Sequence, residues 1–392
     1  MKKNTIIISL DAGFSGNKIA VNEHIYDIPF AIQDITGEEA RYELRRKDDE
    51  FIRCTKDGHT YLIGKVASEY VLDNDRSKAK KTVMEAFATM ERYNMPLFEI
   101  ALQAFIAYGL QRYAKDSRKS SNPFLASEID KWNIHVGVAL PHEHVNHLIP
   151  LVKGYLDKGI DISIMIGLDE PTHYKFNACS TSFNSQAVCM LINETVTDDL
   201  DDVEGDNDIY AMLPALIIDG GYKTLGKFKL AADQSIVGDS SDTNYAMLNI
   251  NEKVAAELNA VRPGYSEYQI DEMCKKGEVV RYIDESTGKP ASLDVAAIKE
   301  KYLRETCAAL IEDLCSEYDN LLDFKCILIG GGTGGQYFPY FKEYCDKERP
   351  YLSENLILAG SNPFFGQECG PVHAIVAGLY KDMLMNLEDE EY

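Results

Sequence analysis

The sequence predicts an α/β protein built as two related lobes. Two observations support this prediction: the chain has 392 residues, and one motif occurs near the start of each half. A chain of this length exceeds what a single hydrophobic core usually organises. The motif is an apolar run of strand length that ends in Asp, a turn containing glycine, and a second strand. Its recurrence indicates a duplicated architecture.

The first copy of the motif has the composition of half a nucleotide clamp. Its apolar run, 6–10, ends in Asp11, and the turn carries Gly13 and Gly16. These glycines permit backbone angles at which successive amides turn toward one anion. Asp11 could hold Mg²⁺ through water, and Lys18 could neutralise a phosphate oxygen. An ordinary β-hairpin with a polar turn is the alternative that this stretch alone leaves open.

The second copy lies at 215–230, where an apolar strand ends in Asp219, Gly220 and Gly221. A chance hairpin need not recur at the start of each half, so the repeat favours a functional pair of turns. Further along, an apolar strand at 326–329 runs into a predicted glycine loop, which would let a flat ligand approach the backbone. The chain has neither the P-loop pattern nor a G-x-G-x-x-G after the first strand, which argues against those two nucleotide folds.

The remaining elements alternate between strands and helices. Residues 33–60 are charged and predicted to be irregular, and 244–320 are predicted to be mostly helical with a break at 262–264. Further strands are predicted over 26–32, 61–64, 134–140, 160–168 and 173–179. Helices are predicted over 77–93, 96–113, 145–156, 183–192 and 293–318, with a closing helix that begins near 370.

These elements predict two domains. Domain I covers 1–205, with a small subdomain inserted at about 33–125. Domain II covers 206–392, with a subdomain inserted at about 240–320 and an acidic tail at 386–392.

The charge of −23 argues against direct binding to bulk nucleic acid or to anionic membranes. Any link to DNA would run through a basic partner. Much of the acidic excess lies in 198–206 and 388–391, which are expected to be solvated loops or tails.

Composition also predicts the compartment. No apolar run approaches the ~20 residues that cross a bilayer, and the N-terminus lacks the form of a signal peptide. Nine dispersed cysteines without C-x-x-C spacing indicate reduced thiols and a cytoplasmic protein. His142, His144 and His147 invite a metal site, but only the last two share a helical face, so we expect none there.

Taken together, the motifs resemble the actin superfamily. The matching stretches, in chain order, are 11–18 (first phosphate loop), 183–191 (first connecting helix), 219–221 (second phosphate loop), 330–332 (adenosine loop) and 370–377 (second connecting helix). Within the superfamily, the run 216–219 followed by Thr224 and Leu225, and the strand end at Leu140 and Pro141, are similar to ParM-like (StbA-like) plasmid-segregation actins.

The resemblance implies a duplicated, ribonuclease H-like actin fold with ATP or ADP and Mg²⁺ in the interlobe cleft; GTP remains an alternative. It implies that Asp11 and Asp219 hold Mg²⁺ and its waters, and that Gln186 orients the attacking water. Residues expected at the β- and γ-phosphates are Ser15, Gly16, Asn17 and Lys18. Residues expected at adenosine are Gly330, Gly331, Gly332 and Thr333. The other expected nucleotide contacts are Gly13, Gly220, Gly221, Lys223 and Thr224.

The family function would be ATP-driven polymerisation, with hydrolysis destabilising the filament. A small, basic, ParR-like adaptor would link the filament to plasmid DNA. Two departures from the pattern matter. Tyr222 and Lys223 fill the second turn, and Gly226 stands where a closing polar residue is usual. Gln186 stands where ParM has Glu; since Gln is no general base at neutral pH, its role would be positioning.

Several alternatives remain open. Gln186 could be a helix N-terminal residue without a catalytic role. The chain could also be a small-molecule kinase of the same superfamily, with Asp161 or Asp169 as its catalytic carboxylate. A chaperone-like or structural ATPase that grips a partner is the third reading.

Overall fold

The computed structural model describes residues 4–13, 16–42, 47, 50–68, 90–204 and 208–389. The chain divides into two compact units. Unit 1 comprises Met1–Asp202, Pro363–Glu368 and His373–Tyr392, and unit 2 comprises Val203–Asn362 and Cys369–Val372. The sequence assigned the whole of 206–392 to a second domain. The difference arises because the chain returns to unit 1, where its last helix packs.

The described strands and helices of unit 1 begin near the N-terminus and end with the last helix of the chain. The strands are β1 (Thr5–Ala12), β2 (Gly16–Val21), β3 (His24–Pro29), β4 (Ile32–Asp34), β5 (Ile52–Lys56), β6 (His59–Ile63), β7 (Asn133–Leu140), β8 (Ile160–Ile166), β9 (Thr172–Phe176) and β10 (Ser180–Ser185). The α-helices are α1 (Pro96–Asp116), α2 (Val145–Leu156), α3 (Gln186–Thr195) and, at the chain's end, α9 (Ala374–Asp389).

Unit 2 contains the elements between α3 and α9. Its strands are β11 (Ala215–Gly220), β12 (Leu225–Leu230), β13 (Ile236–Asp242), β14 (Val279–Asp284), β15 (Lys289–Asp294), β16 (Cys326–Gly330) and β17 (Leu356–Leu358). Its α-helices are α4 (Met247–Val261), α5 (Ile270–Lys275), α6 (Val295–Glu317), α7 (Gly331–Glu348) and α8 (Pro350–Ser353).

Each unit contains a five-stranded sheet, and the two sheets have the same topology. The order is β10-β7-β1-β2-β3 in unit 1 and β17-β16-β11-β12-β13 in unit 2. In both, the first strand pairs antiparallel with the second and parallel with a later strand, β7 or β16. This equivalence confirms the duplicated α/β architecture expected from the repeated motif.

The sheet of unit 1 is covered on both faces. Helix α1 packs on one face, where Gly109 lies against Ile19 and Val21 of β2. Helix α9 packs on the other face, and the Ser9 hydroxyl of β1 donates a hydrogen bond to the Val376 carbonyl at 2.8 Å. Burial on both faces explains why β1 is an almost uninterrupted apolar run.

Residues 33–60 were predicted to be irregular, but the structure contains strands there. Within these residues lie the end of β4, all of β5 and the start of β6, in a second sheet with the order β4-β6-β5-β8-β9. Only Ile52 and Cys54 of β5 are buried, so the charged residues around them hid the strand pattern. Pairing with β8, more than 100 residues later, completes this strand.

Two predicted helices need correction, and a third is mostly untested. The predicted helix over 77–93 lies largely outside the described residues, and Met90–Asn94 form a 3₁₀-helix. The helix predicted from 183 begins at Gln186, because the preceding residues pair with β7. The helix predicted from 293 begins at Val295, because Asp294 caps it from the end of the β14–β15 hairpin, which the sequence missed.

At the end of the chain, residues up to Asp389 belong to α9, so the expected tail at 386–392 begins as helix. Residues 390–392 lie outside the described residues. Among the helices that the structure describes, none combines the length and apolar character of a membrane span.

Candidate functional site

In unit 1 the structure brings together three of the predicted site residues. Asp11 lies at the end of β1, opposite Lys18 of β2, and is 3% exposed. The Gln186 amide donates from Nε2 to Asp11 Oδ1 at 2.7 Å. Lys18 Nζ lies 3.7 Å from Asp11 Oδ2. The carboxylate is therefore buried between an amide donor and an ammonium group.

Gln186 owes its position to the junction of β10 and α3. Ser185 is the N-cap of α3, and its hydroxyl accepts from the Val188 amide at 3.1 Å. Gln186 is thus the first residue of the helix, directly beyond a strand that runs parallel to β7. Because Nε2 donates to Asp11, the amide oxygen Oε1 is the group left to accept a hydrogen bond from water.

Asn17 has a different environment from its neighbour Lys18. Successive strand residues point to opposite faces, so Asn17 faces away from the pair formed by Asp11 and Lys18. Its side chain is 1% exposed, and neither its Nδ2 nor its Oδ1 has a hydrogen-bond partner among the described residues. Ser15, predicted beside it, lies outside the described residues.

In unit 2, Asp219 occupies the equivalent position at the end of β11, opposite Gly226 and beside Gly330 of β16. Its carboxylate lies against Gly331, which has a φ of +75°. A Cβ on Gly331 would stand 2.6 Å from Asp219 Oδ1 and 2.5 Å from the Gly220 carbonyl oxygen. Only glycine fits this position.

The predicted glycine loop is the first turn of a helix. Residues 331–335 begin α7, and the Gly220 Cα is so close to the helix that a Cβ there would lie 2.3 Å from the Gly334 nitrogen. The glycines allow α7 to pack directly on the end of β11. High glycine content suggested a loop because propensity takes no account of such a close approach.

The same helix fixes the second turn. The Thr333 hydroxyl donates to the Gly221 carbonyl at 2.6 Å, and the Gly221 amide donates to the Thr224 carbonyl at 2.9 Å. Thr333 is 2% exposed, and its hydroxyl is used in the hydrogen bond that holds the turn. Gly332 has open space around the position of a Cβ within the described structure, which leaves its backbone accessible to a ligand.

The unusual residue Tyr222 fastens this turn to the helical insertion of unit 2. Its carbonyl accepts from the Leu248 amide at 2.7 Å, which satisfies a free donor at the start of α4. Its ring packs against the core of the insertion. Burial, together with the Asp271 carboxylate, raises the pKa of the Tyr222 phenol. Lys223 follows in the turn and is partly exposed.

No sequence pattern singled out Arg92. Its side chain is 1% exposed, and it donates through Nη1 to the Gly13 carbonyl at 3.1 Å and through Nη2 to the Ala12 carbonyl. These are the carbonyls that follow Asp11. Arg92 lies about 80 positions from the loop it contacts, and no motif spacing connects the two.

The two aspartates considered for a kinase form surface ion pairs. Asp161 of β8 lies 2.8 Å from Lys175 Nζ, and Asp169 lies 2.5 Å from Lys115 Nζ. Both lie in or near the second sheet of unit 1, whereas Asp11 lies on β1 in the first sheet. Their positions give no support to a catalytic role.

Each of the two strand ends carries a carboxylate of the kind that binds magnesium. Mg²⁺ prefers carboxylate oxygens and usually takes one or two of them, with water and phosphate completing its shell. Asp11 and Asp219 offer such carboxylates at equivalent strand ends. Within the described residues, no group of three or more His, Cys, Asp or Glu is arranged to hold a metal ion.

No protein-family model matches the chain, and no curated protein is similar to it in sequence. Solved structures are similar in fold. The actin-like protein Alp7A aligns with a TM-score of 0.64 at 15% identity, covering 99% of both chains. A 15-stranded ParM filament from Clostridium botulinum gives 0.60 at 14% identity, covering 97% of this chain and 99% of that one.

A Bacillus thuringiensis ParM with ATP gives a TM-score of 0.56 at 12% identity, covering 99% of this chain and 100% of that one. These alignments run over nearly the whole of each chain, so both units and their order are shared. Identities at this level establish the fold. The protein therefore has the actin-like fold, as the resemblance of its motifs to the actin superfamily implied.

Proposed function

We propose that the protein is an ATPase that assembles into filaments, and that these filaments segregate plasmid DNA. The observation that carries the proposal is the equivalence of the two strand ends. Asp11 and Asp219 each end the first strand of a sheet with the same topology, and each is followed by a turn containing glycine. Phosphoryl transfer needs positioning and charge neutralisation, and two such turns supply both.

In this proposal Asp11 and Asp219 would hold Mg²⁺ through water, and the bound ion would supply positive charge near the phosphates. Lys18 contributes a second positive charge. Gln186 orients the attacking water, since its contact with Asp11 fixes the amide and leaves Oε1 as an acceptor. Gly332 approaches the adenosine. The remaining predicted contacts in the two turns complete the phosphate site.

Polymerisation is supported by the fold shared with a ParM filament, and nucleotide binding by the fold shared with a ParM with ATP. The acidic charge of −23 suits a basic, DNA-binding adaptor of the ParR type as the link to plasmid DNA. The same charge and the dispersed cysteines support a cytoplasmic protein without direct contact to nucleic acid.

Sedimentation and light scattering test the proposal. We expect pelletable polymer above a critical concentration with Mg²⁺-ATP, and less polymer with Mg²⁺-ADP, because hydrolysis destabilises the filament. Absence of a pellet at tens of micromolar across a range of salts would contradict the proposal. Phosphate transfer to a sugar or small acid, without polymer, would favour the kinase alternative.

The metal-holding role of Asp219 is tested by Asp219→Asn. This variant keeps the size of the side chain but loses the charge, so phosphate release should fall by about 10²-fold or more. Asp199→Asn, at an exposed aspartate, is the matched control and should hydrolyse at the wild-type rate. Wild-type turnover in Asp219→Asn would remove Asp219 from the site.

A further inference from the structure

We propose that Arg92 is the positioning residue of the first phosphate loop. The proposal rests on the proposed nucleotide site and adds a residue to it. Arg92 lies in the 3₁₀-helix Met90–Asn94, and its guanidinium donates to the carbonyls of Ala12 and Gly13. It therefore binds two successive peptide groups directly after Asp11.

The direction of these bonds orients the loop. In a trans peptide the carbonyl and the N–H of one group point in opposite directions. Because the Ala12 carbonyl points at Arg92, the N–H of Gly13 points away from it. An amide turned in this way, in a glycine-containing turn, is the kind of donor that binds a phosphate oxygen. Arg92 holds the acceptor side of the loop and leaves the donor side to the ligand.

The guanidinium is itself fixed from several directions. Its Cζ lies 4.9 Å from the centroid of the Phe30 ring and 4.8 Å from that of the Tyr93 ring. Its Nη2 also donates to the Tyr93 hydroxyl at 2.9 Å. The Tyr155 hydroxyl in turn donates to the Tyr93 carbonyl at 2.7 Å, which anchors the 3₁₀-helix. Rigid groups of this kind keep a binding site in one geometry before the ligand arrives.

A buried arginine is costly unless its donors are used, and an apolar side chain would pack this position without that cost. The shape of the guanidinium explains why an arginine occupies this position. The group presents several N–H donors in one plane and always carries a charge. Lysine offers a single ammonium and cannot reproduce two bonds in that plane. The permanent positive charge also lies next to the loop that receives the phosphates.

The test compares binding of fluorescent mant-ATP, mant-ADP and mant-AMP by wild type, Arg92→Lys and Arg92→Met. A positioning role at the β- and γ-phosphates predicts that both variants raise the Kd for mant-ATP and mant-ADP at least tenfold. The Kd for mant-AMP, which lacks those phosphates, should stay within twofold of wild type. A merely structural role would shift all three nucleotides together or none, and either result overturns the proposal.

Two further variants keep the test decisive. Leu102→Ala creates a cavity in α1 that destabilises the same unit, and it should leave all three Kd values unchanged. Tyr93→Phe removes one acceptor of the guanidinium and should weaken mant-ATP binding two- to threefold. If the Arg92 variants do not fold, an unchanged Kd in Tyr93→Phe overturns the proposal. Wild type that binds no nucleotide overturns the proposed function, and this assignment with it; variants that bind like wild type overturn this assignment alone.

Discussion

Among single residues, Asp382 shows how burial sets the charge of a side chain. It lies on α9, and its Oδ2 accepts a hydrogen bond from the Asn184 amide at 3.2 Å. Burial raises the pKa of the Asp382 carboxyl, while the hydrogen bond from Asn184 lowers it and only partly compensates. A carboxyl whose pKa is raised on folding holds its proton more tightly in the folded state, so its charged form destabilises the fold.

We expect Asp382→Asn to raise the thermal midpoint at pH 7.5. The raised pKa means that folded protein binds more protons than unfolded protein between the two pKa values, so wild type loses stability as pH rises through that window. Above that window the charged carboxylate of Asp382 destabilises the fold to the full extent. The variant removes this destabilisation because Asn carries no charge. The advantage of the variant should shrink as the pH falls toward 4, which thermal unfolding at several pH values measures.

Asp233→Asn provides a comparison of opposite sign. Hydrogen bonds from Ser235 lower the pKa of this exposed carboxyl. Its charged form therefore stabilises the fold above the unfolded pKa, and that stabilisation is lost as the pH falls. The variant should be less stable than wild type at neutral pH and equal to it in acid. Equal pH profiles for the two variants would contradict both assignments.

Residues were predictable where chemistry follows a local pattern. The placement of Asp11 and Asp219 at strand ends could be predicted because each follows an apolar run and precedes glycine. Their partners could not be derived from spacing alone. Gln186 reaches Asp11 across 175 positions and Arg92 reaches the loop across about 80, since both contacts depend on the tertiary fold. The resemblance to the actin superfamily pointed to Gln186, but it pointed to no residue equivalent to Arg92.

At the scale of elements, the contact between α3 and α9 is unusually close. Gly378 of α9 lies against α3 so tightly that a Cβ there would stand 1.7 Å from the Cys189 carbonyl oxygen. Nearby, the buried Lys381 donates to the Val196 carbonyl at 2.7 Å, just beyond the last residue of α3. A cation at a helix C-terminus satisfies free carbonyls and complements the helix dipole.

Gly378→Ala should therefore destabilise unit 1 by about 3 kcal/mol or more, because the backbone of α3 has to move to admit a methyl group. Gly154→Ala is the matched control. Gly154 lies in α2 with open space around its Cβ position, so alanine should stabilise that helix by about 0.5–1 kcal/mol. Urea unfolding of both variants measures these changes. Wild-type stability of Gly378→Ala would contradict the close contact.

Elements with a strong period or a clear cap were predicted well, and α2 at Val145–Leu156 has the predicted bounds. The errors share a physical cause, which is that long-range contacts decided the local structure. Strand β5 has two buried residues and depends on β8 for its pairing. The start of α7 is rich in glycine because it packs on β11, and propensity alone favoured a loop.

For the molecule as a whole, the charge of −23 makes a prediction about assembly. Subunits that carry the same large charge repel one another, and salt screens that repulsion, with a Debye length of about 10 Å at 0.1 M. Raising KCl from about 25 to about 200 mM should therefore lower the critical concentration for polymer with Mg²⁺-ATP, as measured by sedimentation. A critical concentration that rises with salt would instead indicate charge complementarity between subunits.

The return of the chain to unit 1 has a consequence for synthesis on the ribosome. Unit 1 is begun first, but its sheet is covered on one face by α9, which is made after all of unit 2. Unit 2 can complete its own five-stranded sheet while that face of β1 still lacks its cover. A chain truncated at residue 362 should thus hold a folded five-stranded sheet in the second unit and expose an apolar surface on the first, where a chaperone would bind.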